Sequence, residues 1–77
     1  MEAKLMNNNI LSQKRITQAE REVLRYLVKG LKNEEIARKL CVSVSTIKKH
    51  LESIYDKLSV HNRLQAIHIA FVQDDIE

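Results

Sequence analysis

Residues 33–58 read NEEIARKLCVSVSTIKKHLESIYDKL, and two helical patterns separated by three residues lie in that run. Ile36, Ala37 and Leu40 repeat at the spacing of one buried stripe, which predicts a helix over 33–40 with Asn33 as its cap. Ile47, Leu51, Ile54 and Leu58 fall at i, i+4, i+7 and i+11. A longer helix over 44–58 therefore keeps its apolar residues on one side, and Ser43 has the side chain to cap it. The connection Cys41-Val42-Ser43 leaves no room for a long loop, so the two helices cross steeply and the second is braced by the first. That is a helix-turn-helix, placed at 33–53.

Outward from this centre the pattern stays helical. Thr17-Gln18-Ala19-Glu20 is a capping box, in which hydroxyl and carboxylate satisfy orphan amides reciprocally. Val23, Leu24, Leu27 and Val28 follow at helical spacing and Gly30 supplies a left-handed stop, so a first helix is expected over 18–29. Ser59-Val60-His61 breaks the chain again, and Asn62-Arg63-Leu64-Gln65 resembles a second capping box opening a helix over 62–72. Residues 1–15 hold no sustained period and contain Asn7-Asn8-Asn9, which reads as a flexible arm or a linker remnant. Residues 74–77 are acidic and expected to fray. The fold class is all-α, a four-helix helix-turn-helix domain over 16–73. Its expected core is Val23, Leu24, Leu27, Val28, Ile36, Ala37, Leu40, Ile47, Leu51, Ile54, Leu58, Ala66, Ile67 and Ala70. Tyr26, Tyr55 and Phe71 are most simply core residues too, and Cys41 a small packed residue of the turn.

Seventy-seven residues make one domain, with no room for a substrate cleft beside the core. No nucleophile–base pair, paired buried carboxylate or phosphate loop is written in the chain, so an enzyme is not expected. One cysteine excludes an internal disulfide, and Cys41, His50, His61 and His68 lack the paired spacing of a metal site. Neither a cofactor nor a small-molecule ligand is expected. No apolar run approaches the roughly 18 residues of a membrane span, so the expected compartment is the cytoplasm. The formal charge of +3 leans towards a polyanionic partner.

Position makes that leaning specific. With the apolar stripe of 44–58 turned inward, Ser45, Lys49 and Glu52 point outward, Lys48 lies on one flank, and Thr46 and His50 lie on the other. The major groove admits an α-helix, whose N-terminal residues reach base edges. Lys49 has the donor for guanine O6/N7 and Glu52 the acceptor for cytosine N4. Thr46 and His50 fall where a groove wall brings phosphates. The plainer alternative is a solvated face in which Glu52 pairs with Lys48 and Lys49, and in which Lys57 only offsets the helix dipole.

From Ile16 to Ala66 the chain resembles the LuxR-type helix-turn-helix domain, also called the GerE or FixJ type. The resemblance rests on Ile-Thr-x-x-Glu-Arg-Glu-Val-Leu from Ile16 and Gly-Leu-x-Asn-x-Glu-Ile-Ala from Gly30. It continues through Val42-Ser43, Ser45 to His50, Ile54-Tyr55, Lys57-Leu58 and Asn62-Arg63, in order and without gaps. It implies a bacterial transcription regulator of four helices that binds double-stranded DNA, the third helix reading sequence and the fourth dimerising. RNA polymerase is a further partner of such regulators. By the same resemblance Thr46, His50, Lys57 and Asn33 match phosphate-contacting positions, while Lys48, Lys49 and Glu52, with Ser45 beside them, match base-facing ones. Lys32 departs from the usual Ser or Thr cap, Glu34 from a usual Lys, Ser59 from a usual Gly, and Glu52 from an often basic position. The family domain commonly follows a receiver, ligand-binding or ATPase module, so the chain is expected to be a stand-alone regulator or a piece of a longer one.

The last helix is apolar around almost its whole circumference. Ala66, Ile67, Ala70 and Phe71 are assigned to the core, and Leu64, Gln65, His68, Ile69 and Val72 to the contact with a second copy. The competing cover for that strip is the N-terminal arm, through Ile10 and Leu11. The alternative function is an interaction module or anti-activator that pairs with a related regulator through this helix.

Overall fold

The computed structural model describes residues 16–73 and forms four helices, α1 (Gln18–Val28), α2 (Asn33–Leu40), α3 (Val44–Leu58) and α4 (Arg63–Gln73). The expectations for residues 1–15 and 74–77, including the cover by Ile10 and Leu11, lie outside the described residues. Bounds differ from the sequence reading by one residue at three ends: α1 stops at Val28, and α4 runs from Arg63 to Gln73.

The starts follow from side-chain chemistry. Thr17 Oγ1 accepts the Glu20 N–H at 3.1 Å, and Glu20 Oε1 accepts the Thr17 N–H at 3.0 Å. Ser43 Oγ accepts the Thr46 N–H at 3.0 Å. Before α4, Asn62 Oδ1 accepts the Gln65 N–H at 2.9 Å, but Gln65 Oε1 accepts from His61 rather than Asn62, at 2.8 Å. At α2 the expected cap moves. Lys32 occupies the cap position with no acceptor to offer, and Asn33 is already the first helical residue. Glu35 Oε1 compensates in part by accepting the Lys32 N–H at 2.7 Å.

The first three helices all end in the same way. Gly30, Cys41 and Ser59 have φ of 91°, 58° and 58°, and each donates its N–H to the carbonyl three residues back: Leu27, Arg38 and Asp56. The following residues, Leu31, Val42 and Val60, donate to carbonyls five back. The left-handed stop was legible at Gly30 and Ser59 but not at Cys41, which is exposed rather than packed. Only glycine takes this conformation without a Cβ penalty. Ser59→Gly is therefore expected to raise stability by about 0.5–1 kcal/mol in urea titration. An unchanged or lower midpoint would mean that Ser59 repays its strain elsewhere.

α1 packs against α3 and α4, and α2 packs against α3, closing one core. Val23, Leu24, Leu27, Ile36, Ala37, Ile47, Leu51, Ile54, Leu58, Ala66 and Ala70 are buried. Val28, Leu40 and Ile67 are half-buried at its edge, with Tyr26 and Tyr55. Phe71 corrects the sequence reading, for it stands 73% exposed. At about 100° per residue it lies a full step beyond Ala70, outside the arc that faces α1.

Candidate nucleic-acid interface

The inward stripe of α3 leaves an outward face of polar residues. Ser45, Lys48, Lys49 and Glu52 are all exposed, whereas Thr46 and His50 are half-buried at its margin. Among the described residues neither lysine is ion-paired with Glu52. Thr46 Oγ1 lies 3.0 Å from Ser43 Oγ, which ties this hydroxyl to the cap of the same helix. The start of α3 therefore offers two lysine ammoniums, two hydroxyls and the positive end of the helix dipole on one side.

Lys57 sits elsewhere. Its Nζ lies 2.7 Å from Glu20 Oε1, across 37 residues of sequence, and Ser53 donates to Glu20 Oε2 at 2.6 Å. The Glu20 side chain is only 6% exposed. Burial opposes its ionisation, but hydrogen bonds from Lys57, Ser53 and the Thr17 N–H, with the Lys57 charge, outweigh burial and hold its pKa at about 2. One carboxylate thus caps α1 and clamps the second half of α3 to it. Glu20 was legible as a cap but not as this clamp, and Lys57, read from the sequence as a phosphate-contacting match or an offset to the helix dipole, has its ammonium on Glu20.

The start of α2 is held from α4. Arg63 Nη2 donates to the Leu31 carbonyl at 2.7 Å, and Nη1 donates to Asn33 Oδ1 at 2.9 Å. Asn33, Arg63, Lys32 and Lys48 line one open recess, so α2 begins on the side of the molecule that carries the α3 cations. Arg63 was not singled out from the sequence, where it reads only as a helix-opening residue.

On α4 the exposed residues are Leu64, Gln65, His68, Phe71 and Val72. Leu64 and Val72 are 75% and 59% exposed. Ile69 is half-buried: it packs against the core and also lines, with Leu64, Gln65 and His68, an open groove that Val60 and His61 continue. The described residues contain no metal-binding cluster of His, Cys, Asp and Glu, and no helix among them is long and apolar enough to cross a membrane.

Comparisons with known proteins agree with this arrangement. The family model described as bacterial regulatory proteins, luxR family, matches residues 14–70. The Fimbriae Z protein of Escherichia coli strain K12 is 43% identical over 61 residues, 79% of this chain and 27% of that protein. The CsgBAC operon transcriptional regulatory protein of the same strain is 44% identical over 52 residues, 68% of this chain and 24% of that protein. The HTH-type transcriptional regulator MalT of Vibrio campbellii is 44% identical over 52 residues, again 68% of this chain but 6% of that protein. The chain thus spans less than a third of the length of these relatives. No solved structure matches it. A capping box, a braced second helix and a polar outer face on the third fall inside the matched region, and the chain belongs to the luxR family of bacterial regulatory proteins, as a helix-turn-helix domain of DNA-binding transcription regulators.

Proposed function

We propose that this domain reads duplex DNA sequence-specifically as a two-fold dimer, α3 lying in the major groove and α4 joining the subunits. The observation that carries it is the face of α3, where Lys48 and Lys49 stand exposed and without an ion-pair partner among the described residues, beside Ser45 and Glu52. Ser45, Lys48, Lys49 and Glu52 face base edges. Thr46, His50 and Asn33 meet phosphates at the groove walls. Lys57 contributes least to this set, because its charge is shared with Glu20. The relatives' names support transcription control as the outcome; RNA polymerase as the downstream partner and the cytoplasm as the compartment belong to the same reading.

Binding measured against salt tests this directly. With roughly three or four phosphates neutralised per subunit, log K is expected to fall with log salt at a slope of about −5 to −7. A slope shallower than about −2 would make the basic face decorative and reject DNA as the partner. In the same assay Lys49→Ala is expected to relax discrimination at one base position by about 1–3 kcal/mol. His50→Ala should weaken all sequences alike. Uniform loss for Lys49→Ala would move Lys49 to the phosphate group.

A further inference from the structure

Arg63 opens α4, yet both of its hydrogen bonds go to the start of α2: Nη2 to the Leu31 carbonyl at 2.7 Å and Nη1 to Asn33 Oδ1 at 2.9 Å. A guanidinium carries donors only. The Asn33 amide facing it can therefore take one orientation, oxygen towards Arg63 and Nδ2 away. Among the described residues no protein group meets that Nδ2. The same open recess is lined by Lys32 and by Lys48 of the recognition helix, with the Glu34 carboxylate also at its wall.

We propose that Arg63 is a positioning residue for DNA binding, which orients the Asn33 amide so that its N–H donors, and not its carbonyl oxygen, meet a backbone phosphate. This rests on the reading of the domain as a DNA binder. An amide free to turn presents oxygen lone pairs to an anion in half of its orientations, and fixing it on binding costs side-chain entropy. Arg63 removes both costs before the encounter. It does so from outside the phosphate contact, because its guanidinium bonds Leu31 and Asn33.

The test uses a two-half-site duplex and a set of duplexes in which single phosphates are replaced by neutral methylphosphonates. In the wild type one such replacement per half-site is expected to cost about tenfold in affinity, the value of a hydrogen bond to a charged group. Asn33→Ala and Arg63→Met should both lose sensitivity at that same phosphate, and the double variant should bind no worse than Arg63→Met. The salt slope should stay at the wild-type value, and Arg63→Lys should restore part of the sensitivity. Asn33→Asp guards against a folding artefact: a carboxylate keeps Arg63 engaged, so melting should hold while affinity falls about tenfold. The proposal is overturned if Arg63→Met keeps the wild-type phosphate sensitivity, or if Asn33→Asp binds as the wild type does. A slope flattened by about 0.9 per subunit overturns it too, since Arg63 would then touch DNA itself. Failure of the wild type to bind any duplex rejects the DNA reading instead, which is a separate result.

Discussion

Glu20→Ala is expected to cost about 3 kcal/mol or more in denaturant titration, a large share of the stability a domain of this size has. Three losses coincide. The α1 capping box opens, Ser53 loses its acceptor, and the Lys57 ammonium loses its contact with the Glu20 carboxylate. Lys57→Ala should follow in the same direction with about 1–3 kcal/mol, not the negligible change expected of an outward side chain. Acid must do reversibly what the substitution does permanently. Glu20 ionises at about 2 in the fold against an ordinary value of 4.5, so its stabilisation is complete above about pH 4.5 and drains away as pH falls towards 2. At roughly 1.4 kcal/mol per pH unit that gap is worth about 3 kcal/mol. Urea midpoints between pH 7 and 2.5 check it. The decline should flatten in Glu20→Gln, which cannot titrate, and an equally steep decline in that variant would assign acid unfolding to other carboxylates.

The clamp also marks where the sequence stopped being legible. Short-range chemistry was readable because it is written within four residues. Thr17 with Glu20, Ser43 with Thr46, and the stripe from Ile47 to Leu58 each announce a helix start or a buried face, and the structure follows them. Contacts that cross the fold leave no such trace. Glu20 meets Lys57 and Ser53, and Arg63 meets Leu31 and Asn33, over separations of 30 residues or more. On a helical wheel Lys57 is simply a polar residue beside the buried stripe. Cys41 failed for a local reason of another kind: left-handed geometry is announced by Gly or Asn, and here hydrogen bonds to Arg38 and Ala37 impose it on a residue that does not favour it. Phe71 misled because α4 is apolar on nearly every side, so its pattern does not say which arc turns inward. The small Ala66 and Ala70 face the core with Ile67 and Ile69 half-buried at its edge, while Leu64, Phe71 and Val72 face out.

That inversion decides how the dimer should be probed. Ile69 packs against the core, so a charge there confounds folding with association. Leu64 is 75% exposed and opens the outward strip, one helical turn before His68 and two before Phe71, beside the groove that Val60 and His61 continue. Leu64→Glu is expected to leave helical content near the wild type and to melt as the wild type does when diluted to monomer, since a lone exposed leucine contributes little within the subunit. Between subunits it places two carboxylates in a desolvated contact. If α4 joins the subunits as proposed, sedimentation should show a dimer for the wild type and a monomer for the variant. The effect on DNA is larger than on the protein. Two half-sites about 34 Å apart are read at once only by joined subunits, so affinity for the two-half-site duplex should fall by roughly 100-fold or more. Affinity for one half-site should stay level, because the α3 face is untouched. A wild type that stays monomeric at tens of micromolar and binds two half-sites no better than one would remove α4 as the subunit contact. A Leu64→Glu monomer that melts well below a monomeric wild type would instead place another part of this chain over the strip.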